Sequence, residues 1–198
     1  MATLPRIVTY EDWLAMPVTQ DGREEVVNGE IRIMPPNKLP HPDVIDNLTA
    51  AFHSQLDRRL AKCFASLFGL VIRKEPLTCR SPDIAVFLRS TMIEQDGYVH
   101  SAPQLVIEVL SPSETRKEIA AKLRDYESIG VEEVWLVSPG PPPLRFFTSK
   151  MASSAFRRFW PRASYGQNIF HPSKSISPRS GPSKFRRDSS SLTNGQRD

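Results

Sequence analysis

The sequence predicts an α/β fold in which a mixed β-sheet is flanked by helices. Three observations carry this reading. Short β-type runs, among them "EEVVNGEIRIM", "SPDIAVFL", "QLVIEVL" and "EEVWLVSP", recur along the chain. Between them, two stretches place apolar residues at helical spacing. The two kinds of segment do not alternate strictly as βαβ units, which favours a mixed sheet over an all-parallel one. A chain of 198 residues with 39% hydrophobic and 24% charged residues has the length and composition of a single soluble domain with a real core.

The elements follow in order. "TYEDWLAM" reads as a short helix, with Thr9 as N-cap and acids in its first turn. "EEVVNGEIRIM" reads as a hairpin, because Asn28-Gly29 suits a two-residue turn in which both positions take positive φ. "HPDVIDNLTAAFHSQLDRRLAKC" predicts a long helix whose buried stripe is Val44, Leu48, Ala51, Phe52, Leu56 and Leu60. Strands are expected near Leu67–Arg73, over "SPDIAVFL" with Asp83 at its start, and over "QLVIEVL". "SPSETRKEIAAKLRDYESIG" predicts a helix capped by Ser111 or Ser113 and stopped at Gly130. "EEVWLVSP" and "PLRFFTS" complete the strands.

Several function classes are excluded at this level. No apolar run approaches the roughly 20 residues of a membrane-spanning helix. The N-terminal "MATLPRIVTYEDWL" lacks the charged head and apolar middle of a secretory leader, so a cytoplasmic location is expected. Cys63 and Cys79 lack metal-type spacing and are expected to be reduced, partly buried thiols. The net charge of +4 suggests nucleic acid, yet 9 of the 26 basic residues and only 2 of the 22 acids fall after residue 150. The body, residues 1–150, is therefore net acidic, and the basic balance belongs to the tail.

That tail, residues 151–198, holds 11 serines and scattered Arg and Pro without periodicity, the composition of a low-order basic segment. A second reading is a frameshift. Back-translation with one nucleotide restored near Lys150 opens another frame whose apolar and polar residues alternate as in an amphipathic strand. On that reading the basic tail says nothing about DNA.

The chemistry centres on "PQLVIEVLSPS". Glu108 interrupts an apolar strand, and a buried unpaired carboxylate must neutralise or find a cation. Along the strand, Glu108 shares a face with Val106 and Leu110. If the strand of Asp83 is its neighbour, the two carboxylates converge at one end of the sheet. Two carboxylates that close repel unless one is protonated or a cation lies between them. A hard divalent ion such as Mg²⁺ suits oxygen ligands and could polarise a phosphate. Lys122 flanks the expected buried stripe Ile119, Leu123 and Tyr126 of the following helix, so its ammonium could reach the carboxylates. A plain surface ion pair with Glu118 is the competing reading.

The segments "REEVVNGEIRIMPP", "SPDIAVF", "PQLVIEVLSPSE" and "AAKLRDYESIGVEEVWLVSP", in this order, resemble the Uma-two family of restriction-endonuclease-like proteins, within the PD-(D/E)XK nuclease superfamily. The resemblance covers about residues 8–148. It implies a restriction-endonuclease-like core, a Mg²⁺-dependent (or Mn²⁺-dependent) phosphodiesterase site and DNA as substrate, with a homodimer as a further expectation. Pro82-Asp83 matches the first acidic element, Glu108 the second acid, Val109 the position whose backbone carbonyl reaches the metal, and Glu25 the acid of the early hairpin. The resemblance departs at Leu110, where a strict E-x-K requires lysine; Lys122 stands in as a migrated lysine. The reframed tail also resembles the family's usual C-terminal end.

Plainer roles compete at each position: a strand-start residue for Asp83, a buried ion pair for Glu108, a hairpin-edge acid for Glu25. His41 is a cap or a phosphate or metal-shell contact. Tyr126 and Trp135 read as core. Arg73, Lys74 and Arg80 read as a solvated strand end or as DNA phosphate contacts. A non-catalytic nuclease-fold module that binds nucleic acid or protein, and an inactive product of a frameshifted gene, remain the alternatives to a Mg²⁺-dependent endonuclease.

Overall fold

A computed structural model describes residues 7–17, 23–65 and 68–139, together with the backbone of 145–150. The tail from 151 onward, read above as a low-order or frameshifted segment, lies outside the described residues.

The predicted N-terminal helix is α1 (Tyr10–Ala15), and Thr9 caps it reciprocally with Asp12. The hairpin is β1 (Arg23–Val27) and β2 (Glu30–Met34). Its turn residues take φ of 54° at Asn28 and 80° at Gly29, the two positive values that a tight hairpin needs. Helix α2 runs from His41 to Gln55. Then follow β3 (Ala61–Ala65), β4 (Leu70–Arg73), β5 (Thr78–Arg80), β6 (Ile84–Leu88), the short β7 (Glu94–Gln95) and β8 (Tyr98–Val99), and β9 (Leu105–Val109). Helix α3 (Arg116–Ser128) precedes β10 (Glu133–Ser138) and β11 (Arg145–Lys150).

The α/β class and mixed pairing are as expected, but the strands divide into two sheets. One has the order β2-β1-β5-β4-β8-β7, the other β11-β10-β9-β6-β3. Parallel pairing joins β9 to β10 and β4 to β8, and the remaining pairs are antiparallel. The layers follow from the apolar faces. Helix α2 packs Val44, Ile45, Leu48 and Phe52 on one side of the five-stranded sheet, against Ile84, Val86, Leu105 and Ile107. The other side, carrying Ala85, Phe87, Val106 and Val134, meets Tyr126 of α3 and Leu70 and Ile72 of the six-stranded sheet. Helix α1 covers the far side of that second sheet with Tyr10 and Trp13. The alternation along β6 and β9 thus feeds two cores at once, as expected of a strand buried on both faces.

Two boundaries differ from the sequence reading. The long helix stops at Gln55 and does not continue to residue 63. The Asp57 carboxylate accepts from the Arg59 amide at 2.9 Å, and the Asp57 carbonyl accepts from the Leu60 and Ala61 amides, closing a turn. Ala61–Ala65 then pairs antiparallel with β6. Leu60, expected on the buried stripe, is exposed. Helix α3 is capped by Thr115 and Glu118 in a capping box, two residues beyond the later of the predicted serines. Its C-terminal stop at Gly130 is as expected. The Val131 amide donates to the Tyr126 carbonyl and the Gly130 amide to the Glu127 carbonyl, the paired bonds of a helix-terminating glycine motif.

A side chain at Gly29 would occupy the left-handed region, and its Cβ would collide with Ile7 Cγ2. Gly29→Ala is expected to cost about 1–2 kcal/mol. Urea unfolding would register this as a lower midpoint with an unchanged slope.

Candidate active site

Ile84 of β6 faces Ile107 of β9 in the antiparallel register. Asp83 immediately precedes β6, which brings it near Glu108; Glu108 is met by α3, and Asp83 by β1 and the first residue of α2. Both acids are almost fully buried, as are Glu25 and Arg80. The strands that carry them could hardly be more apolar, so every partner must come from neighbouring elements.

Glu108 is held by α3. Lys122 Nζ donates to Glu108 Oε2 at 2.9 Å, and the Tyr126 hydroxyl donates to Oε1 in a short hydrogen bond. Lys122 also meets Glu114 Oε1 at 2.8 Å. Two of the side chains α3 buries are Lys122 and Tyr126, one turn apart, so the helix is docked through polar atoms as well as apolar ones. Glu118 is taken up by the capping box with Thr115, and Lys122 is committed to Glu108 and Glu114. Tyr126 belongs to the core as expected, but its hydroxyl completes the coordination of Glu108.

Asp83 is held from three sides. Arg23 Nη1 of β1 lies against Oδ1 in a short ion pair. The Val109 amide donates to Oδ2 at 2.8 Å, and His41 Nε2, on the first residue of α2, stands 3.4 Å from the same oxygen. Arg23 Nη2 also donates to the Ser81 carbonyl at 3.0 Å. It is the Val109 amide that is engaged with Asp83.

Glu25 forms the third node. Arg80 Nη1 donates to Glu25 Oε2 at 2.8 Å, and the Ser81 amide to Oε1 at 3.1 Å. Arg80 continues to Asp125 Oδ2 of α3 through Nε at 2.9 Å and Nη2 at 2.6 Å. Glu25 is therefore a buried ion-pair partner, not an open hairpin-edge acid. Arg80, expected at a solvated strand end or on DNA, is buried and fully engaged within the protein. Arg73 donates to the Pro76 carbonyl at 3.1 Å and to Asn28 Oδ1, and Lys74 lies over the Tyr10 ring at 4.2 Å. Trp135 is half-buried and donates to Glu133 Oε1 at 2.9 Å. Both cysteines are free thiols, pushed up to about 12 by burial.

The electrostatics separate the two central acids. Burial pushes Glu108 up, and the Asp83 charge adds to that rise; Lys122 and Tyr126 oppose it without cancelling it. Asp83 is also buried, but His41 and the Arg23 guanidinium outweigh burial and hold it below the ordinary carboxylate range. Burial would lower Lys122, yet Glu108, Glu114 and Glu25 raise it, so it stays protonated. Burial and the neighbouring Glu108 charge raise Tyr126, which therefore keeps the proton it donates.

Five carboxylates (Glu25, Asp83, Glu108, Glu114 and Asp125) face three permanent cations, Arg23, Arg80 and Lys122. The cluster therefore holds more carboxylates than permanent cations. His41 Nδ1 and Arg23 Nε are in addition buried without a hydrogen-bond partner. The excess of carboxylate oxygens over cations is what suits a hard divalent cation, which takes oxygen ligands. Among the described residues no group of three or more His, Cys, Asp or Glu side chains converges as a ready-made cage. A site here would be completed by backbone or water.

Sequence reasoning missed Arg23, Glu114 and Asp125. Arg23 was within reach of it: on β1 it stands two residues from Glu25 and so on the same face. Neither Glu114, before the α3 cap, nor Asp125, on α3, carries a pattern in the sequence that separates it from solvated acids.

Residues 9–164 match the model of the Uma2 family, described as "Putative restriction endonuclease". A solved structure described as a putative nuclease belonging to DUF820, from Anabaena variabilis, is similar with a TM-score of 0.56 at 22% identity. The alignment covers 71% of this chain and 84% of that one, which supports the same fold. No curated protein matches. No described helix is long and apolar enough to cross a membrane.

Removal of the Lys122 charge tests the internal balance. Lys122→Met leaves Glu108 buried with only the Tyr126 hydroxyl, and a broken buried pair costs about 3–5 kcal/mol. Its loss moves the folded-state value of Glu108 further above its unfolded one. A group raised in this way contributes its stability at low pH and loses it as pH rises through the folded value. The stability deficit of Lys122→Met relative to the unsubstituted protein is therefore expected to be large at pH 8 and smaller at pH 5. Asp83 titrates in both proteins and cancels in the difference. Denaturant unfolding at the two pH values checks this.

Proposed function

We propose that this chain, which belongs to the Uma2 family of restriction-endonuclease-like proteins, is a divalent-metal-dependent endonuclease that hydrolyses phosphodiester bonds of DNA. One observation carries the reading: two buried acids come together, Asp83 at the head of β6 and Glu108 on the adjacent β9, and Lys122 donates to Glu108. The excess of carboxylates over permanent cations around them supports a bound cation.

In this reading Asp83, Glu108 and the backbone carbonyl of Val109 hold Mg²⁺ or Mn²⁺. When bound, the ion supplies Lewis acidity toward a phosphate oxygen and lowers the pKa of water. The remaining chemistry belongs to the chain. Lys122 orients the attacking water and offsets the negative charge that grows on the phosphate. Tyr126 and Lys122 fix the direction of the Glu108 oxygens. Glu25 assists through its charge, which helps keep Lys122 protonated, and it anchors Arg80 so that β5 and α3 stay in register with the site. Burial strengthens each of these interactions relative to water.

A second reading has its own support. Leu110 stands where a strict E-x-K places lysine, and Asp83 is already engaged by Arg23. A nuclease fold that binds nucleic acid or a protein without cutting would tolerate both. Mg²⁺ binding that persists without hydrolysis of any DNA or RNA favours that module. Comparing this chain with a version restored in the alternative frame after Lys150 separates it from an inactive product of a frameshift.

The direct test is cleavage of duplex DNA with Mg²⁺. Asp83→Asn and Glu108→Gln preserve shape and are expected to abolish cleavage, and Lys122→Ala to slow it by about 10²-fold or more. Unchanged cleavage in either acid variant would reject the site.

A further inference from the structure

We infer that Arg23 and a divalent cation compete for Asp83: in the metal-free protein the Arg23 guanidinium stands in for the ion, and ion binding drives it off the carboxylate. The inference rests on the metal-dependent reading above and deepens it by giving Arg23 a positioning role that ties ion binding to the β1 hairpin.

The three cations of the cluster are not equivalent. Arg80 spends Nε, Nη1 and Nη2 on two carboxylates, Glu25 and Asp125, and so locks β1, β5 and α3 together. Lys122 is likewise shared by two carboxylates, Glu108 and Glu114. Arg23 has one carboxylate, Asp83, and one carbonyl, that of Ser81. Its Nε–H is buried with no partner. A buried donor left unmade is costly, so this is not the best seat available to a guanidinium with five N–H groups. Arg23 is the exchangeable cation of the three.

Asp83 is arranged for the exchange. Its Oδ2 is held by the Val109 amide and faced by His41, the first from a strand backbone and the second from a helix terminus. Its Oδ1 is covered by Arg23, at the start of β1. The oxygen that must open is therefore the one blocked by a long, flexible side chain. Once an ion is present, a guanidinium in contact with Oδ1 would add a like charge at close range, which is strongly unfavourable in a buried site. The Glu108 and Glu25 charges still attract Arg23, so displacement leaves it near the pocket. There its unused donors suit the oxygens of a phosphodiester, an anion the guanidinium fork matches well.

The test is Mn²⁺ binding to the metal-free full chain, read by electron paramagnetic resonance and calorimetry. R23Q is expected to bind Mn²⁺ about tenfold or more tightly than the unsubstituted protein, although its metal-free form unfolds at lower denaturant. R23K keeps the charge and is expected to bind Mn²⁺ like the unsubstituted chain. A merely structural Arg23 would give weaker binding in R23Q; equal or weaker binding there, or R23K as tight as R23Q, overturns the exchange. Should R23Q not fold, nuclear magnetic resonance of the unsubstituted protein decides. The Arg23 Nε–H signal is expected to move on saturation with Mg²⁺, and an unmoved signal overturns the inference. D83N separates the two levels. If the unsubstituted chain binds no Mn²⁺, or D83N binds it equally well, the metal site itself is wrong and the exchange falls with it. If D83N loses Mn²⁺ and R23Q does not tighten it, the exchange alone is wrong.

Discussion

The structure turns on the proximity of two buried carboxylates, Asp83 at the head of β6 and Glu108 in β9, an antiparallel strand pair that is buried on both faces. The register that brings Ile84 against Ile107 also brings the acids together. Neither can be left bare: an isolated buried charge costs several kcal/mol even after relaxation. Each neighbouring element is therefore recruited to compensate them. Arg23 comes from the hairpin, His41 from the start of α2, and Lys122 and Tyr126 from α3. The cluster is a constraint on the fold before it is a site, because it specifies where the hairpin, α2 and α3 must dock.

The division into two sheets acquires a purpose in this light. Asp83 and Glu108 belong to the five-stranded sheet and its approach, whereas Arg23, Glu25 and Arg80 belong to the six-stranded one. Ion pairs from Arg23 and Arg80 cross between sheets or to α3. The polar contacts therefore sit at the seam where the layers meet. Apolar packing of Ala85, Phe87, Val106 and Tyr126 excludes water beside them. Such a seam holds the carboxylates in fixed directions and keeps their mutual field strong. Burial, with the Asp83 charge adding to it, raises Glu108, whereas His41 and Arg23 outweigh burial and lower Asp83. Two acids of the same cluster with values pushed apart are a common mark of functional sites.

Much of the arrangement was legible in the residues. The apolar run around Glu108 announced a buried carboxylate, and Asp83 at the head of the preceding strand offered a neighbour. The Asn28-Gly29 turn and the Thr9 cap declared their local geometry, since each depends on the conformational preferences of one or two residues. Other features were not legible for an equally physical reason. The apolar positions Leu56 and Leu60 fit a helical stripe, but the Asp57 turn and the pairing of Ala61–Ala65 with β6 won, and strand pairing is a non-local interaction. Arg80 looked like a surface base because nothing nearby in sequence revealed Glu25 and Asp125 as its partners.

By itself the sequence determined the α/β class, the hairpin, the helix ends at Thr9 and Gly130, and the acids at 25, 83 and 108 with Lys122 within reach of them. These depend on short-range patterning and on the high cost of burying charge, both readable from the order of residues. Only the tertiary structure decided that the strands form two sheets, that Arg80 is locked between Glu25 and Asp125, and that Arg23 covers Asp83. Such pairings join residues 45 to 60 positions apart. Their partners are chosen by which strands lie side by side, a property of the folded layers that no local pattern encodes.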